Sequence, residues 1–517
     1  MPVIEESFRR TEFERIDSEK PVFDHDRLLV PPALVRSISR ESFRRIAFFF
    51  RKSHLILLTQ KYHDPDSSEN DRFVIGTLLE NACVAAKGSL SLCQDAGTVV
   101  IYGWKNESIY TGADDAEELA QGALESYRNH SLRASQIGAH SFFEEYNTGE
   151  NQPVQVHIEA YHGVRPQFRF LFAAKGGGSS NKTAFFSLSK AFLEKGRFEA
   201  FLEEQIRGIG TDACPPYRLA IVVGGTSPEL NLEILKLATT EILDPLPYDE
   251  SSWIFRDQEW EHRVLDIAKK STLGAQFKGS DLALDARVIR LPRHAASCPV
   301  SIGLSCCAHR NALAYIDQTG VYLEKLCTDP AGVNLQTQIQ RVDLDSPNLR
   351  ETLSHFVPGD TLLISGTILI ARDAAHYKWA QIIDSGQKLP DYLLQYPIFY
   401  AGPSVPPPGA VIGSIGPTTA GRMDDYADML MSRGASLITI AKGGRSGPFI
   451  DACKKYGGFY LGAIGGAAAL FAEQYVITNE IIDYPELGME AVRIIRIKDV
   501  PVFMVIDSAG HYLFSLN

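Results

Sequence analysis

The stretch that decides the fold is LAIVVGGTSPELNLEILKLATTEI, residues 219–242. Leu219–Val223 is a continuous apolar run of strand type, and it breaks at Gly224-Gly225. Ser227 is placed to cap a helix. Pro228 follows at the first helical position, where a missing N–H costs nothing. ELNLEILKLATTEI then continues as a helix. A buried strand that feeds a helix through a glycine turn is the unit of a mixed α/β chain.

The reading extends outward from there. ADDAEELAQGALESYR (113–128) reads as a helix, with acids in its first turn and Arg128 in its last, as the helix dipole favours. QVHIEAYHG (155–163) and PQFRFLFAA (166–174) alternate like strands and flank the short turn Val164-Arg165. Residues 1–55 read as charged and irregular. On the other side, TDPAGVNLQTQ (328–338) and HFVPGD (355–360) are rich in turn residues, so a boundary is placed between 335 and 336. Beyond it come short strands and glycine loops: DTLLISGTILIA, GAVIGSIG, ASLITIAKGG, GGFYLGAIGG and VFMVIDSAGHYLF. The last contains a hairpin-like Asp-Ser-Ala-Gly turn.

Composition narrows the function. The 517 residues are 45% apolar and 22% charged, ordinary for a globular protein and long enough for two or three domains. Lysine and arginine total 51 against 63 aspartates and glutamates, a net charge of -12. That balance removes the electrostatic footprint of a nucleic-acid binder while leaving room for one local basic pocket. The apolar, charge-free stretch YLGAIGGAAALFA (460–472) is too short for the ~20 residues of a membrane helix. MPVIEESFRRTEFERID (1–17) has neither the apolar core of a signal peptide nor the acid-poor character of a transit peptide, so a cytoplasmic protein is expected. Eight cysteines are too few for a disulfide scaffold in a chain this long. Kept reduced, they are core residues, nucleophiles or metal ligands.

Five stretches can carry chemistry. SLCQDAGTVVIYGW (91–104) sets Cys93, Gln94 and Asp95 at the entrance to an apolar strand. GTDACPPYRLAIVVGGT (210–226) places Cys214 before two prolines, which stiffen the backbone. RLPRHAASCPVSIGLSCCAHRN (290–311) holds Cys298, Cys306 and Cys307. No CxxC pair exists, which disfavours a compact zinc site. Separated cysteines beside Pro or Gly suit a site assembled by folding, and three thiolates can hold a [4Fe–4S] cluster with one iron left open as a Lewis acid. An isolated buried thiol is the other reading of each. KGGGSSNKT (175–183) nearly fits a phosphate-binding loop, but Asn181 stands where the second glycine belongs. It remains a candidate anion loop or a plain glycine turn, and it motivates the alternative of a nucleotide-binding protein. Finally, Arg372 and His376, Thr418, Thr419 and Arg422, and Lys442 and Arg445 each follow an apolar run by a few residues. Three such loops at one sheet edge would make a carboxylate pocket, since arginine grips a carboxylate through two parallel bonds.

Taken in order, CQDAG, ACPPY, LPRHAASCPV, GLSC with AHRN, GTILIARD, GPTTAGRMD and AKGGRS make the chain resemble the iron–sulfur-dependent class I fumarate hydratases. That group also includes tartrate dehydratases and mesaconases. The likeness runs from about residue 30 to the C-terminus. It implies a larger N-terminal α/β domain (1–335) carrying the cluster, a smaller C-terminal swivelling β/α domain (336–517), a site between them and a homodimer. It implies cluster ligation by Cys93, Cys214 and Cys306, with Cys307 as the neighbour one register away. Asp95 is implied as the acid that protonates the departing hydroxyl, and Thr418 as the base at C3. Gln94, Arg133, Gly176, His294, Arg372, Arg422 and Lys442 are implied as substrate contacts. The implied reaction is reversible hydration of fumarate to (S)-malate, with mesaconate/citramalate and tartrate as alternatives within the family. Two positions depart from its pattern: His309 where Asp is usual, and Gly444 where Asn is common.

Overall fold

A computed structural model describes residues 2–17, 19–249, 251–333 and 339–515. The boundary expected between 335 and 336 lies outside the described residues.

The deciding stretch forms the strand Tyr217–Gly225 and the helix Pro228–Ala238. Ser227 caps the helix, its Oγ accepting from the Leu230 N–H at 3.2 Å. The strand runs parallel to Ala283–Arg293 and antiparallel to Cys298–Ser305, inside a five-stranded mixed sheet. Both of its faces are buried, as a continuous apolar run requires. Leu219, Ile221 and Val223 pack under the helices Lys195–Ile209 and Gln258–Lys270. Ala220 and Val222 face a second sheet.

That second sheet has six strands and is built around Thr98–Asn106 and Phe168–Lys175. Val100, Tyr102 and Leu171 meet the first sheet, while Val99, Ile101 and Phe172 pack under the helices Pro32–Phe48 and Asp115–Asn129. The result is four layers, helices outside and two sheets inside. The sequence misled in one place here. Residues 1–55 are not irregular: they hold the helices Pro2–Arg10 and Pro32–Phe48, whose arginines lie outward while Leu34, Val35, Ile38 and Phe43 are buried. Gln155–Tyr161 does not pair with Phe168–Lys175 across the short turn. The two flank Thr98–Asn106, one parallel and one antiparallel.

Residues 340–506 form a seven-stranded sheet. Thr361–Ile370 pairs with both Ile398–Phe399 and Val492–Ile506, so five of its strands close into a ring. GAVIGSIG forms no strand. It is a loop, held by a Ser404 N–H bond to the Ser414 carbonyl at 3.0 Å. One apolar core joins this sheet to the helix Glu69–Ala85 and to Phe277, whose ring stacks on Phe503 at 4.2 Å.

Candidate active site

The loops at the ends of the N-terminal strands and the loops of the ring meet around a cavity of about 1160 Å³. Cys93, Cys214 and Cys306 line it, with Gln94, Asp95, Arg133, Gly176, Arg372, Thr418, Arg422 and Lys442. His294 does not. It sits on an exposed turn past Arg293, where the Arg293 guanidinium ties down the carbonyls of His294, Ala295 and Ser297 and so directs the turn outward. His376 and Arg445 also turn away from the cavity. His376 is buried, with Nδ1 bonded to the Arg372 carbonyl at 2.9 Å. Arg445 pairs with Asp424 at 2.7 Å inside a cage of Tyr400, Phe449 and Tyr460.

The three thiols differ in their surroundings. Burial pushes Cys93 up to about 11. Cys214 is instead lowered to about 6, by a bond from the Cys307 thiol and by Lys442, whose Nζ donates to its sulfur at 2.8 Å. Cys214 is thus the thiol whose surroundings favour the thiolate, as close thiols discourage one another's ionisation. Its backbone has φ 63°, a left-handed conformation that costs a non-glycine residue about 1–2 kcal/mol. Cys307 faces away from the cavity, its thiol donating to the Gly465 carbonyl at 3.7 Å. Burial and the Cys214 thiolate hold it protonated.

Asp95 is fixed by two backbone N–H groups, Gly97 at 3.0 Å and Gly177 at 2.8 Å. Burial alone would raise its carboxyl, but Arg133, Arg310 and these bonds hold it below the usual carboxylate range. Gly176 packs closely on Asp95: a Cβ there would stand 3.2 Å from Asp95 Oδ2. Arg133 reaches across to the ring half, donating to the Gly402 carbonyl at 3.0 Å. Arg372 donates to Glu490 at 2.5 Å, and Arg422 lies 3.5 Å from Asp373. The Thr418 backbone N–H donates to the Tyr400 carbonyl at 2.7 Å, and its carbonyl accepts from Lys442 N–H at 3.2 Å, so the two side chains share one wall.

Sequence reasoning missed Arg310. It is 4% exposed, lines the cavity, and has a buried Nε without a partner. Its neighbours are Cys93, Asp95 and Cys306. The preceding His309 faces the opposite way, into a buried polar cluster: Nδ1 meets Ser305 Oγ at 2.7 Å and Nε2 meets Glu241 at 3.0 Å.

Among the described residues no three His, Cys, Asp or Glu side chains stand close enough to chelate a single metal ion. A polynuclear group spreads its ligands over separate metals, so three converging but separated thiols fit such a group better than a lone ion. The close approach of the ring half agrees: a Cβ on Gly465 would stand 2.3 Å from Cys214 Sγ.

A cavity walled by three thiols, the carboxylate of Asp95 and converging cations, at the junction of an α/β body and a closed ring, defines an enzyme-like site for a small anion. Two family models cover the chain: one described as fumarate hydratase over residues 36–315, and one as fumarase C-terminus over 320–516. Fumarate hydratase 2 of Leishmania major is 45% identical over 98% of this chain and 92% of its own. The anaerobic class I fumarate hydratase of Escherichia coli K12 is 44% identical over 95% and 92%. The aerobic class I enzyme of that strain is 44% identical over 94% and 90%. The chain belongs to the fumarate hydratase family. No helix among the described residues is long and apolar enough to cross a membrane.

Proposed function

We propose that the protein is a class I fumarate hydratase that interconverts fumarate and (S)-malate, with a [4Fe–4S] cluster on Cys93, Cys214 and Cys306. The observation that carries this is the meeting of three thiols, Asp95 and five cations in one cavity. When bound, the cluster supplies a Lewis-acidic iron that makes a hydroxyl a better leaving group. Arg133, Arg372, Arg422 and Lys442 grip the two carboxylates and hold the reacting carbons in place. Asp95 gives the departing hydroxyl its proton in dehydration and takes a proton from water in hydration. Hydration needs its ionised form, which Arg133 and Arg310 favour. Thr418 exchanges the C3 proton. A hydroxyl is a weak base, and Lys442 on the same wall stabilises its ionised form.

The division into an N-terminal and a ring-bearing domain near 335 belongs to this reading, as do a homodimer and a cytoplasmic setting. All eight cysteines are free thiols, in keeping with a reducing compartment. Anaerobic reconstitution followed by a panel of fumarate, malate, citramalate and both tartrates tests the proposal. Malate and fumarate are expected to interconvert fastest. Cys93→Ser, Cys214→Ser and Cys306→Ser are expected to abolish cluster binding, and Cys307→Ser to spare it. Loss of the cluster in Cys307→Ser with retention in Cys306→Ser would refute the ligand set, and a colourless, iron-free wild-type protein would refute the whole reading.

A further inference from the structure

The most apolar stretch of the chain, YLGAIGGAAALFA, contributes no titratable group to the cavity, yet it touches the loops of all three thiols. Gly465 and Gly466 turn at its centre. Gln276, 2% exposed, donates from Nε2 to the carbonyls of Pro215 and Gly465, both at 2.9 Å, and accepts from the Gly465 N–H at 2.7 Å. Both donors of this amide and its acceptor oxygen are thereby engaged in tying the Cys214 loop to the turn. Asn81, fully buried, does the same for the Cys93 loop. Its Nδ2 donates to the carbonyls of Leu92 at 3.0 Å and Gly466 at 3.1 Å, and its Oδ1 accepts from Leu470 N–H at 3.0 Å. The Cys306 loop is joined through its neighbour, the Cys307 thiol reaching the Gly465 carbonyl and the Cys307 N–H bonding the Cys214 carbonyl at 3.0 Å. The turn sits against the sulfurs themselves. A Cβ would stand 2.3 Å from Cys214 Sγ at Gly465 and 2.3 Å from Cys307 Sγ at Gly466.

We infer that Asn81, Gln276 and the Gly465–Gly466 turn are positioning residues that set the spacing of the three thiols. Cofactor retention therefore depends on the ring half, although that half supplies no thiol. The inference rests on the cluster reading above. It explains why two amides are buried at a junction between halves, where apolar contact alone would hold the parts together but leave the loops free to shift. Buried amides with all partners satisfied fix one geometry.

Gly465→Ala separates spacing from folding. Its φ lies outside the left-handed range, so alanine fits the backbone and the added methyl presses on the Cys214 sulfur. Gln276→Glu keeps the size of the side chain and removes both donors. Gly208→Ala, on a helix with open space around it, is the control. Each full-length protein is purified anaerobically and reconstituted with ferrous iron and sulfide. Bound iron and sulfide per chain, the rate of iron release to a chelator, and circular dichroism of the cluster-free form are measured. Wild type and Gly208→Ala are expected to load alike. Gly465→Ala and Gln276→Glu are expected to keep the native circular dichroism and to lose iron at least tenfold faster. Wild-type loading and release in both variants would overturn the inference while leaving the cluster reading intact. If Gly465→Ala does not fold, Gln276→Glu decides; if neither folds, these residues serve folding rather than spacing, and the inference fails. A wild type that binds no iron removes the cluster reading and the inference with it.

Discussion

Arg310 and His309 are neighbours that face opposite ways, and each explains something about the other. Arg310 is a buried guanidinium with no carboxylate among the described residues paired to it at ion-pair distance, and its neighbours are Cys93, Cys306 and Asp95. A buried cation is tolerated when negative charge arrives to meet it, and three thiolates would bring that charge. Arg310→Gln is therefore expected to leave the cluster-free protein as stable as before or slightly more so. It should lower kcat/KM of the reconstituted enzyme on the order of 10²-fold, the scale of one lost electrostatic contact to a reacting centre. Thermal melting and steady-state kinetics check the two halves of that statement; a parallel loss of both would make Arg310 a folding residue only. Aspartate, usual at position 309 in the family, would set a second carboxylate against Glu241, already shared by Arg51 and Arg218. His309→Asp is expected to destabilise the protein by about 3 kcal/mol. Glu241→Gln in the same chain should restore part of that in a double-mutant cycle. The departure at His309 is thus matched to its partner rather than to a different substrate.

At the scale of elements, the loop 273–281 carries Gln276 and is held by one carboxylate. Asp71, 1% exposed in the helix Glu69–Ala85, accepts from Ala275 N–H at 2.6 Å, Ser280 N–H at 2.7 Å and Ser68 Oγ at 2.8 Å. Asp71→Asn would turn an amide N–H₂ against backbone N–H groups, at about 2–3 kcal/mol. A denaturant melt is expected to show that loss, and iron retention should fall with it. A melt unchanged from wild type would mean that the loop is held by its own turns. Little of this was legible in the sequence. The thiol motifs and the cations at Arg372, Arg422 and Lys442 stand out because charged and sulfur side chains beside Pro and Gly are conspicuous. Asn81, Asp71 and Gln276 do not, because a single polar residue in an apolar or loop context has no periodicity to betray its bonds. The strand-to-helix unit at 219–242 was legible because propensity, capping and burial agree there. The ring was not, since closure depends on which distant strands pair. His376 and Arg445 follow apolar runs just as Arg372 and Lys442 do, and only packing separates those that turn inward.

For the whole molecule, acid is the weak side. His54 and His376 are both buried, and burial lowers them from 6.5 to about 3 and about 4. His54 faces Arg218, Glu241, His309 and the Cys307 carbonyl. His376 faces Arg372, Asp373, Arg445, Tyr400 and Tyr426. The unfolded chain takes up protons on both near 6.5 while the folded one does not. Their contribution to stability is therefore complete above that pH and is lost as pH falls towards 4, each adding up to about 1.4 kcal/mol per pH unit. Melting temperature is expected to decline steadily from pH 7 to pH 4, and His376→Phe should flatten that slope; a flat profile in the parent protein would contradict the burial of neutral histidines.

The turn at Gly465–Gly466 also sets an order of events during synthesis. The last thiol of the site, Cys306, leaves the ribosome long before the turn does, and the ring that carries the turn closes only when Val492–Ile506 pairs with Thr361–Ile370. At ~5–20 residues per second the interval is on the order of ten seconds or more. Through that time the thiols lack the partner that spaces them. On the proposed reading, metal loading follows the pairing of Val492–Ile506 with Thr361–Ile370, and the thiols need protection from oxidation until that pairing is made.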